Sequence, residues 1–150
     1  MIELDVQRAY EGPDIPGDDR FEAWAGLVLA GEGDAMVNVR IVDEAEGVVL
    51  NRQWRGREGA TNVLSFPASS PPAGGMRVLG DVVLCAPVVA REAAAQGKPA
   101  EHHWAHLTIH GLLHLLGFDH TTAPQAEVME DREIHLLDQL GMPNPYDEKS

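Results

Sequence analysis

Cysteine, positive charge and long apolar runs are all scarce in this sequence. Cys85 is the single cysteine, which excludes an internal disulfide and a thiolate-based metal site and fits a reducing compartment. Any metal must therefore rest on histidine and carboxylate. Lys and Arg number 11 against 24 Asp and Glu, a formal net charge of −13, so tight nonspecific nucleic-acid binding through a broad basic surface is not expected. No stretch approaches the roughly 20 uninterrupted apolar residues of a membrane helix. The opening "MIELDVQRAY" lacks the basic region and apolar run of a secretion signal. A soluble, cytoplasmic chain without a membrane partner is expected. What is present suffices for one domain spanning 1–150: the chain has 150 residues, 44% of them apolar, enough to bury a core.

Period-2 alternation in "IELDV" and "AMVNVRIV" predicts two strands, and "TNVLSF" and "RVLGDVVLC" read as two more. Between the first pair, "DDRFEAWAGLVLAGEG" sets Phe21, Trp24, Ala25, Val28 and Leu29 at helical spacing, with aspartates to cap the start and glycines to end it. "DEAE" fits a capping box of Asp43 and Glu46, opening a second helix toward Trp54. "PASSPPAGG" is a surface loop. Pro87 and Gly97 bound a short helix, a longer one runs from about Glu101 to Leu116, and a last one from about Pro124 to Leu140. That last helix offers Val128, Ile134, Leu137 and Leu140 as its apolar stripe, and the tail "NPYDEKS" is expected to fray.

The chemistry lies in "HGLLHLLGFDH", residues 110 to 120. His110 and His114 are four apart, so on a helix they lie about 40° from one another on one face. A left-handed Gly117 lets the chain turn back and brings His120 to the first two. A lone histidine on an apolar helix is usually a hydrogen-bonded core residue. Three at this spacing, with an open fourth position, are the equipment of catalytic zinc, one ion per chain, although nickel or iron also accepts three imidazoles. H-x-x-x-H-x-x-G-x-x-H is also the spacing of metzincin peptidases, whose second motif residue is a glutamate general base. Here it is Gly111, which disfavours peptide hydrolysis.

The surrounding residues carry weaker signals. His102 and His106 continue the face of His110 and His114 and, with His103, take solvated or supporting roles. Asp119 orients an imidazole, accepts a proton, or simply bonds the backbone amides of its own turn. Met129 is expected to pack in the core, and Glu130 either reaches the site or faces water. Arg52, Arg55 and Arg57 concentrate the scarce positive charge in "NRQWRGRE", a possible anion site, while Thr61, Asn62 and Ser65 shape a cleft edge or simply cap turns.

The sequence resembles the YbeY-type endoribonucleases through "HGLLHLLGFDH", "NRQWRGREGATNVLSFP", "LGDVVLC" and "VMEDREIHLLDQLGMPNPY", in that family's order and spacing. The resemblance implies an α+β fold with a central mixed β-sheet, here about four strands packed by about five helices, and a metzincin-like zinc helix. It implies zinc on His110, His114 and His120 and a functional arginine at Arg55. It further implies cleavage of single-stranded RNA, including 3′-end processing of 16S rRNA and ribosome quality control, with contacts to the small ribosomal subunit and Era-type GTPases. Arg55 suits that chemistry on physical grounds, because a guanidinium bonds two nonbridging phosphate oxygens as charge accumulates on them. His114 and Arg55 are accordingly the expected catalytic residues. The nucleophile is water or the substrate 2′-hydroxyl. Two rivals stand beside this reading: a zinc peptidase or amide hydrolase, and a non-catalytic assembly factor with a structural zinc closed by a fourth ligand, Asp119 being the nearest candidate.

Overall fold

The computed structural model describes residues 1–55, 61–68 and 77–146. Arg57 and most of the Pro- and Gly-containing loop lie outside the described residues. β1 (Ile2–Arg8), α1 (Asp18–Val28) and β2 (Ala35–Val42) form a parallel βαβ unit. After α2 (Glu44–Arg55), β3 (Val63–Pro67) and β4 (Arg77–Cys85) pair antiparallel, and β4 lies parallel to β2. The mixed sheet therefore runs β1-β2-β4-β3. α3 (Ala86–Gln96), α4 (Ala100–Leu115) and α5 (Ala123–Gln139) complete the chain. The expected α+β class is the observed one, with four strands and five helices among the described residues.

The alternation that predicts β2 also aims it. Ala35, Val37, Val39 and Ile41 are buried in the main core with Phe21, Trp24, Leu112 and Met129, while Met36 between them is exposed. α4 is buried on nearly every side, packing against α1, α3, α5, β3 and β4. A helix so enclosed reads as apolar almost all round, and polar side chains within it need partners.

Three local expectations are corrected. Asp18 and Asp19 do not cap α1; they lie in its first turn behind Gly17, where their charge favours the helix N-terminus, and Asp18 also holds Arg8 at 2.7 Å. Asp43 accepts the Glu46 N–H at 2.8 Å, but the Glu46 carboxylate meets the Arg40 guanidinium at 2.7 Å. The residues α5 buries are Met129, Glu133, Leu136 and Leu137, and Val128 is exposed. Val128 and Leu137 are nine residues apart, about half a turn out of phase, and cannot share a stripe. Met129 packs in the core, as expected.

Candidate metal centre

α4 ends in a Schellman motif. The Gly117 N–H bonds the His114 carbonyl at 3.0 Å and the Phe118 N–H bonds that of Leu113 at 3.0 Å, with Gly117 at φ 105°. Only glycine adopts that backbone angle without strain. The reversal carries His120 back to the helix: its ring centroid lies 5.3 Å from that of His110 and 4.9 Å from that of His114, and His110 and His114 are 4.7 Å apart. One ring nitrogen from each of the three lies within 4.8 Å of the others, so together they can hold a single ion. The expected trio is thus brought together.

Burial lowers the pKa of His114, and the neighbouring His110 and His120 lower it further. Its imidazole is therefore neutral at neutral pH and offers a lone pair. Asp119 does not join the cluster; its carboxylate accepts the His120 backbone N–H at 2.7 Å and faces the Thr121 hydroxyl. The turn-bonding role is the one observed, and among the described residues the group has no fourth protein ligand.

Gly111 acquires a steric reason. A Cβ there would lie 2.7 Å from Val82 Cγ1, 3.2 Å from Ser65 Oγ and 3.3 Å from Val63 Cγ2, and the Ser65 hydroxyl donates to the Gly111 carbonyl at 2.9 Å. The helix presses on β3 and β4 where metzincins carry a carboxylate, and a side chain there would have to displace Val82. Gly111→Ala is expected to cost about 1–3 kcal/mol by overpacking, seen as a lower urea midpoint at unchanged slope.

The residue that the sequence reading missed is Glu133. It is fully buried on α5, and its Oε2 lies 2.6 Å from His110 Nδ1 and its Oε1 2.9 Å from His106 Nε2. The Tyr146 hydroxyl donates to the same Oε1. Burial alone would raise the Glu133 pKa, but hydrogen bonds from His106, His110 and Tyr146 outweigh it and hold the group down to about 2. An ionised carboxylate only accepts, so Nδ1 of His110 carries the proton and Nε2 keeps its lone pair for a metal. Of the two roles open to Glu130, reaching the site is not the one observed: it is half-buried outside the cluster.

His103, rather than His102, extends the row of rings, 6.4 Å from His106. Eleven residues bring His103 back to within about 20° of His114, while His102 lies about 120° away. His103 is buried against Glu92 at 2.8 Å, to which Asn62 also donates. Of the tail expected to fray, Asn144–Tyr146 are held in place through Tyr146, and 147–150 lie outside the described residues. Arg55 ends α2, and its side chain lies outside the described residues.

The sequence model of a family described as Endoribonuclease YbeY matches residues 18–141. The chain belongs to the YbeY family. That span runs from α1 through α5 and includes the three histidines and Glu133. Proteins named Endoribonuclease YbeY from Alteromonas mediterranea and Methylococcus capsulatus are 50% and 51% identical to it, covering 96% and 99% of this chain and 96% and 97% of their own. A third YbeY relative, from Stutzerimonas stutzeri, is 52% identical over 100% of this chain and 94% of its own. The solution structure of a Thermotoga maritima protein superposes with TM-score 0.58 at 25% identity, covering 99% of this chain and 100% of that one. Among the described residues, no helix is long and apolar enough to cross a membrane.

Proposed function

We propose that this chain is a zinc-dependent, single-strand-specific endoribonuclease acting in the cytoplasm on ribosomal RNA, at the 3′ end of 16S rRNA and in ribosome quality control. The observation that carries the reading is the convergence of His110, His114 and His120 with the Glu133 carboxylate behind His110, in a chain whose relatives are named endoribonucleases. The donor set of three imidazoles with a supporting carboxylate fits zinc. His110, His114 and His120 would hold the ion, which when bound supplies Lewis acidity to a phosphoryl oxygen and acidifies water.

The protein's own groups divide the remaining work. Glu133 fixes the tautomer of His110; with three donors on it, it serves as an orienting group rather than a base. Arg55 pairs with the nonbridging oxygens of the phosphodiester, where its two parallel N–H bonds strengthen as negative charge grows. The acidic surface gives weak affinity for naked RNA, so selectivity comes from the small ribosomal subunit and an Era-type GTPase. The peptidase reading loses ground because Gly111 supplies no carboxylate and its site is crowded by Val82. The assembly-factor reading loses ground because Asp119 is engaged in its own turn.

The test is cleavage of a single-stranded 16S rRNA fragment and of its duplex by the purified chain. Cutting of the single strand alone, abolished by a chelator and restored by zinc, is the expected result. A 2′,3′-cyclic phosphate on the product identifies the 2′-hydroxyl as nucleophile, and a 5′-phosphate with a 3′-hydroxyl identifies water. Chelator-insensitive cutting would sink the metal-dependent reading.

A further inference from the structure

Tyr146 lies beyond α5 and beyond the 18–141 span of the family match, yet it meets the buried heart of the histidine network. The chain returns after α5 through Gly141, with the Met142 N–H on the Leu137 carbonyl at 2.9 Å. The Tyr146 N–H then bonds Asn144 Oδ1 at 2.8 Å, an Asx-type turn that sets the direction of the ring. The ring stands edge-on to His106, centroids 5.3 Å apart at 86°. Its oxygen lies 3.2 Å from His106 Nε2, and its hydroxyl donates to Glu133. Glu133 is fully buried while Tyr146 is 40% exposed, so the tyrosine spans from the surface to the carboxylate.

We propose that Tyr146 is a positioning residue of the metal centre: its hydroxyl fixes Glu133, and Glu133 fixes His110 as a ligand. The inference rests on the metal reading above and extends it to the C-terminal segment. Two donors, His106 and Tyr146, share Oε1 and leave Oε2 to His110. Without the tyrosine hydroxyl, Oε1 keeps a single partner, and the carboxylate is free to rotate away from the geometry that orients the imidazole. Partners behind a metal-bound histidine typically change metal affinity by about 10–100-fold. Tyr146→Phe removes one hydroxyl and keeps the ring against His106, so it separates orientation from packing.

The experiment measures the zinc dissociation constant of the full chain by competition with a chromophoric chelator, alongside thermal melts of the metal-free forms. Tyr146→Phe is expected to weaken zinc binding about 10-fold and Glu133→Gln by about 10–100-fold. Tyr146→Phe added to Glu133→Gln is expected to change little more, since the tyrosine acts through the carboxylate. A purely structural role would lower the metal-free melt and leave zinc affinity alone. Wild-type affinity in Tyr146→Phe, or an equal effect in both backgrounds, overturns the inference. His114→Ala is the control: if it binds zinc as tightly as wild type, the histidine site itself is wrong, and this inference falls with it.

Discussion

Purified His114→Ala is expected to retain no stoichiometric metal and to cut single-stranded RNA at background rate. His114 forms one corner of the cluster, 4.7 Å from His110 and 4.9 Å from His120, and its removal leaves only two imidazoles to hold an ion. Losing a ligand itself should exceed the roughly 10–100-fold cost of losing a partner behind one. The fold should survive, because a half-buried side chain at a helix end contributes about 1 kcal/mol or less away from the core. Zinc at 100 times its dissociation constant stabilises a binding-competent chain by about 2.7 kcal/mol, so wild type should melt higher with zinc and His114→Ala should not. Elemental analysis and paired melts decide it. Full metal content in the variant would show that the histidines pack rather than bind.

Arg55→Ala is expected to do the reverse: keep its metal and lose cleavage. Arg55 is the last residue of α2, and a guanidinium offers no lone pair to a metal, so the ion should be untouched. Removing one preorganised donor from a charged transition state costs about 10²–10³-fold in rate, and the same loss is expected in kcat here. Arg55→Lys should recover only part of it, since an ammonium offers a point charge where the guanidinium offers a two-pronged bond. The measurement is single-turnover cleavage with metal content on the same preparation. Wild-type rates in Arg55→Ala would return the arginines to a role as surface charge.

Secondary structure was largely legible because its signals are local. Alternation marked β2, and Gly97 and Gly117 marked helix ends. Sheet order was not legible: β2 pairs with β4 across an intervening helix and strand, and nothing in either strand names its neighbour. The α5 stripe failed for a related reason. Val128 is apolar but out of phase, and the polar Glu133 occupies the buried face because its partners lie on α4 and in the C-terminal segment.

The sequence by itself determined where the three imidazoles meet. Four residues of helix and a left-handed glycine bring His110, His114 and His120 together through backbone geometry alone, with no help from distant chain. Tertiary structure alone decided what surrounds them. Glu133 reaches His110 from 23 residues away and Tyr146 reaches His106 from 40. The bar against a side chain at Gly111 comes from Val63, Ser65 and Val82 on two strands of the sheet. A ligand set confined to one turn can be read from spacing, whereas the partners that orient it are fixed only when separate elements pack.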